Sequence, residues 1–176
     1  MAPEARPAED VKVGDRRYAL WLANADVRGS IILLDSFVAD GGVCLRSARV
    51  RGDIWASGAR FTAREGFALN AQAARIGDLV ALNNGFIAEG KIWLLATHID
   101  ARLLLDGARL LGTDNKDKPE PHKDRKALHA DNIQVGAAVS MGEEFTAEGE
   151  VSLCGATIHG SFRCQNSVFN NATSDG

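Results

Sequence analysis

The sequence predicts an all-β fold: a single-stranded β-solenoid, wound as a right-handed β-helix of about six coils. Three observations predict it, namely an internal repeat, a period-two alternation of apolar residues and glycine corners at fixed places. Ala68 to Leu110 recurs 59 residues later as Ala127 to Phe169, with eleven identical positions and no insertion. Gly77/Gly136, Phe86/Phe145, Ala88/Ala147, Gly90/Gly149 and Ile99/Ile158 are among them. Subtracting 49 finds a weaker third copy, Ala19 to Phe61, with Val27, Phe37, Ala39, Gly41 and Val50 under Ile76, Phe86, Ala88, Gly90 and Ile99. Self-similarity at a fixed period is the signature of stacked repeats.

Each unit is itself double. The anchors Val27 and Val50, Ile76 and Ile99, Val135 and Ile158 stand 23 residues apart. Apolar residues alternate beyond them, as in Ile31/Leu33, Ile54/Ala56 and Leu103/Leu105, and period two means strand because successive side chains point to opposite faces. A second alternation follows a corner: Val43/Leu45, Phe67/Leu69, Ile92/Leu94 and Val151/Leu153. The corners pair an acidic residue with glycine, Asp40-Gly41, Glu65-Gly66, Glu89-Gly90 and Glu148-Gly149, where positive φ suits a residue without Cβ. Phe37, Phe86 and Phe145 take equivalent inward sites. Steps of 23, 26, 23, 36 and 23 residues between anchors give about six coils, roughly 29 Å at ~4.8 Å per coil.

A few pairs six apart, such as Ile76/Leu82, fit a left-handed hexapeptide helix. The steps Ala48-Arg49-Val50, Ala59-Arg60-Phe61, Ala74-Arg75-Ile76 and Ala108-Arg109-Leu110 favour the right-handed reading instead. With ALNAQAARIGDLVALNNGFIAEGKIWLL and ALHADNIQVGAAVSMGEEFTAEGEVSLCGATIHGSF, they make Ala19 to Phe169 resemble bacterial pentapeptide-like β-helix proteins, often loosely labelled membrane-associated oxidoreductases. The resemblance implies a fold in which the small residue and the central apolar residue of each step both face inward. It implies no catalytic residues. The residues themselves show no dinucleotide-binding glycine loop, Cys-x-x-Cys or haem motif, so no cofactor is expected.

Residues 1–17 read as a polar, flexible tail, 18–169 as the β-helix domain and 170–176 as a second tail. The stretch 111–126 reads as a charged loop insertion, with five basic and four acidic residues and two prolines. A net charge of −3 argues against a polybasic nucleic-acid surface. Three cysteines give no disulfide framework and point to a reducing, cytoplasmic setting. Cys164 reads as inward and Cys44 as outward. No apolar run is long enough to span a bilayer, so a membrane tether would need flanking regions.

Candidate chemistry is sparse. His98 and His159 flank different sides of their anchors, and His122 and His129 with Asp124 or Asp131 make a weak metal signal, so neither a metal nor a catalytic centre is predicted. The acidic residues sit at corners rather than in the pairs glycoside hydrolysis needs. Arg49 and Arg75 precede successive anchors, and with Arg51 they form a possible anion-binding face, the alternative being a solvated face mixed with Asp26, Asp53 and Asp78. Ile32, Trp55 and Leu104 lie five residues beyond their anchors, which puts them in one outward column with Leu34 beside it and Trp93 on the neighbouring face. An apolar outward column marks an interface or lies under the chain's own tail or loop. The expected function is a non-enzymatic scaffold that binds a protein partner or itself. The alternatives are a carbohydrate-active β-helix enzyme and a bactofilin-like self-polymerising protein, the latter suggested by VRGDIWASGARF.

Overall fold

A computed structural model describes residues 18–112 and 125–171. These residues contain strands and turns but no helix, and strands pair in parallel, each with its counterpart one coil away. Every coil has four short faces. On the first, Asp26–Val27, Arg49–Val50, Arg75–Ile76, His98–Ile99, Gln134–Val135 and Thr157–Ile158 form a six-stranded sheet. All six anchors stand in one column: Val27 beside Val50, then Ile76, Ile99, Val135 and Ile158.

The second face runs from Ile31–Ile32 through Ile54–Trp55, Val80–Ala81, Leu103–Leu104 and Val139–Ser140 to Phe162–Arg163. The third and fourth faces share one ten-stranded sheet, because Arg60–Asn70 and Ile87–Trp93 continue through the corner between them. Glycines hold that corner at positive φ where an acidic-Gly pair predicts it: Gly41 at 130°, Gly66 at 92°, Gly90 at 132° and Gly149 at 120°. Two further corners turn largely on residues that are not glycine. Asn24, Ser47, Ala73, Ala96 and Asn132 occupy one of them in successive coils, with φ of 53° to 59°. Turn hydrogen bonds, such as Ala48 N–H to Leu45 O at 2.9 Å, hold a conformation that L residues otherwise disfavour.

One expected strand pattern needs correction. Phe67 is not inward with Leu69. The register shifts between Glu89 and Ile92, so Leu69 alone stands beside Ile92 and Val43, while Phe67 pairs with Lys91 and meets the outer ring of Trp93 at 5.2 Å. The surplus residues of the 26-residue coil are accommodated at this corner. The larger excursion of the 36-residue coil opens at the same place, after Arg109–Leu111 and before Lys126–His129. The predicted loop therefore gives up residues to strands at both ends; 113–124 lie outside the described residues, as do tail residues 1–17 and 172–176. Asn170 belongs to the strand Val168–Asn170 rather than to a tail.

Packing on the third face explains why the sequence repeats every two coils. Registered pairing places Ala39, Phe61, Ala88, Leu110, Ala147 and Phe169 in one inward column. Two residues earlier, the neighbouring column reads Phe37, Ala59, Phe86, Ala108, Phe145 and Ser167. Each coil thus supplies one large and one small residue, and the order reverses at the next coil. Phe61 meets Phe37 and Phe86 edge-on, centroids 5.9 and 5.1 Å away and planes at 80° and 87°, a geometry aromatic pairs prefer to a face-to-face sandwich. The backbone follows the same alternation: the step from Leu33 to Phe37 and from Leu82 to Phe86 is four positions, but from Ala56 to Ala59 and from Leu105 to Ala108 it is three.

Phe86 is fully buried, so Phe86→Ala should cost about 3–5 kcal/mol. Exchanging the pair, Phe86→Ala with Ala88→Phe, conserves volume within the coil but leaves three consecutive small residues in one column and three consecutive large ones in the other. It should cost at least ~3 kcal/mol in urea unfolding. A loss below about 1.5 kcal/mol, normal for volume-conserving swaps, would show that alternation between coils does not govern the packing.

Candidate functional site

The first face presents two outward columns. One runs Asp26, Arg49, Arg75, His98, Gln134 and Thr157, as strand pairing fixes directly. The next, two residues on, runs Arg28, Arg51, Gly77, Asp100, Gly136 and His159. Gly77 has no side chain to offer, and a Cβ there would fall on the carbonyl of Arg51. The result is a depression of about 520 Å³, lined by Arg49, Arg51, Arg75, His98 and Asp100 around Gly77. The three arginines expected to bind an anion are therefore brought together. Arg51 lies 3.7 Å from Asp26, and His98 Nε2 lies 2.8 Å from Asp100, with its Nδ1 3.1 Å from Gln134.

On the second face the expected apolar column is in register, with Ile32 beside Trp55, then Ala81, Leu104, Ser140 and Arg163. Its exposure is uneven. Ile32 is 64% and Leu34 40% exposed, whereas Trp55 and Leu104 are half-buried against neighbouring rungs and Ala81 is buried. Along this outward column the fully open apolar surface is thus confined to the first coil, with Trp55 and Leu104 only partly exposed.

The outer side of the fourth face departs further from expectation. Its column is Trp21, Cys44, Asn70, Trp93, His129 and Ser152. Cys44 points outward, yet it is buried. Tyr18 spans it, with its ring 5.3 Å from Trp21 and its hydroxyl accepting from Asn70 Nδ2 at 3.2 Å. Trp93, expected to face outward, is half-buried and sandwiched between Phe67 and His129, the latter stacked at 4.1 Å. Sequence reasoning missed this stripe because an odd offset from an anchor reports direction, not cover. His129 Nε2 is 3.5 Å from Asp131, which accepts from Ser152 Oγ at 2.5 Å and from the Cys154 N–H at 3.0 Å; His129 Nδ1 is buried with no hydrogen-bond partner among the described residues. Among the described residues no three or more His, Cys, Asp or Glu converge as metal ligands. His122 and Asp124 lie outside them.

Exposed large apolar side chains mark the two ends of the solenoid. Trp21, Ile32, Leu34 and Val38 belong to its first described turn, and Phe162, Val168 and Phe169 to its last. Cys164 takes the inward position predicted from Leu105, but it is exposed because no described coil lies beyond it. Among the described residues no helix is long and apolar enough to cross a membrane. Comparison with protein-family models, with curated proteins and with solved structures returned no match.

Burial lowers the pKa of His129, with the Asp131 carboxylate opposing it. A folded pKa below the unfolded value near 6.5 means that protonation favours the unfolded chain. This contribution to stability is present above about pH 6.5 and is lost as pH falls through the folded value. The melting temperature of the wild type should therefore drop more steeply between about pH 7.5 and pH 5 than that of His129→Gln. Parallel profiles would mean that the imidazole is protonated as easily in the fold as outside it.

Proposed function

We propose that this chain is an assembly scaffold whose copies join end to end, the last described coil of one against the first described coil of the next. The observation that carries the reading is that, among the described residues, the large exposed apolar side chains are confined to the first and last coils. The end coils of a solenoid present open core and unpaired backbone unless something covers them. Phase matching supports the same partner. The first coil offers Phe37 then Ala39, and the last offers Ser167 then Phe169. A copy stacked on the last coil would continue both columns in their alternating order, setting Phe37 beside Phe169 as Phe86 stands beside Phe61. On the outer side, Val38 and Val168, each 60% exposed, would become neighbours in one ladder.

The fold supports kinship with pentapeptide-like β-helices through Ala48/Val50, Ala59/Phe61, Ala74/Ile76 and Ala108/Leu110, every one of which is buried in the core. A glycoside-cleaving reading is less well supported. That chemistry uses two carboxylates flanking one bond, and the arginine-lined depression has Asp100 alone, engaged by His98.

Val38 and Val168 sit on outer positions, so substitution there should spare the core. Val38→Lys with Val168→Glu puts opposite charges across the junction, and Val38→Lys with Val168→Lys puts like charges there. In sedimentation velocity at low salt, the first double variant should associate at least ten-fold more tightly than the second, with melting temperatures alike. Equal association of the two would rule out the end-to-end junction.

A further inference from the structure

We propose that the notch over Gly77 is a binding site for one tetrahedral oxyanion, a phosphate or sulfate group, held between the guanidinium groups of Arg49 and Arg75. These two arginines are direct neighbours on adjacent parallel strands and both are exposed. Like charges facing each other across strands destabilise a sheet unless something neutralises them.

The nearby carboxylates do not neutralise them. Asp26 is the other ladder neighbour of Arg49, but its ion pair is with Arg51. Asp100 is bonded by His98, whose second ring nitrogen faces Gln134. Neither Arg49 nor Arg75 has an ion pair or side-chain hydrogen bond among the described residues. Two adjacent cations are thus left beside a gap in which a side chain is sterically forbidden, since a Cβ on Gly77 would strike the Arg51 backbone.

The volume of about 520 Å³ is in the range of small-ligand sites. Planar guanidinium groups bind tetrahedral oxyanions through paired N–H donors. The opposite wall carries Asp100, which limits the site to one anionic group and, with a chain net charge of −3, disfavours an extended polyanion. The notch lies on the second to fourth coils, away from the solenoid ends, so it stands or falls independently of end-to-end assembly.

The test is titration of the full chain with inorganic phosphate, inorganic sulfate and acetate at constant ionic strength, followed by the arginine Nε–H resonances. Phosphate or sulfate should shift the Arg49 and Arg75 signals saturably, with a dissociation constant on the order of 1 mM. Whichever of the two binds more tightly identifies the source of the group. Arg49→Gln with Arg75→Gln should weaken binding at least ten-fold, and Arg75→Gln alone at least three-fold. Arg109→Gln, an exposed arginine on another face, should leave it unchanged. The ligand should also raise the melting temperature of the wild type and not of the double variant. Non-saturating shifts, equal effects of acetate, or unchanged affinity in both Arg75 variants would overturn the assignment.

Discussion

Backbone hydrogen bonds hold successive coils about 4.8 Å apart in strict register, and every other property of this molecule is fitted to that spacing. Each inward position is repeated at that interval along the whole solenoid, so a side chain is chosen against the residues one coil before and after it. The anchors can be uniformly Val or Ile because β-branched residues stack in such a column without excess volume. Aromatic residues cannot fill every layer of two adjacent columns, and the third face resolves this by exchanging a large residue (Phe or Leu) for a small one (Ala or Ser) at each coil. Buried polarity obeys the same rule: Thr97 occupies an inward site and returns its hydroxyl to the Ala71 carbonyl at 2.8 Å.

The coil architecture was legible in the sequence because a solenoid writes its contacts as periodicity. Val27, Val50, Ile76, Ile99, Val135 and Ile158 meet because each sits at the same point of its own coil, and that spacing is visible without coordinates. The acidic-Gly corners were legible for the same reason. The Asn24 to Asn132 corners were not, since Ser47, Ala73 and Ala96 carry no turn signal and take positive φ only because the pairing on either side requires it.

Surface chemistry was less legible, and the failures share a cause. Arg49, Arg51 and Arg75 could be grouped from their distance to the anchors, but the notch among them depends on which way Asp26 and His98 turn. Trp93 and Cys44 were read as outward-facing, as strand register places them, but that direction did not reveal the neighbouring side chains that cover them. Their cover comes from Tyr18, Phe67 and His129, whose positions depend on a register shift and on reach across two coils. Direction follows from parity, whereas exposure depends on partners from other rungs.

The alternation on the third face also restricts how such a chain can change length. Removing one coil would bring two coils of the same type together, with their large residues in one column, their small ones in the other, and mismatched corners between Leu33 and Phe37 or Ala56 and Ala59. Removing or inserting two would leave every neighbour as it was. The packing unit is therefore a pair of coils, and a chain built this way can lengthen or shorten without mismatch only by even numbers of coils. Its three two-coil units keep the order of large and small intact from one end of the described solenoid to the other.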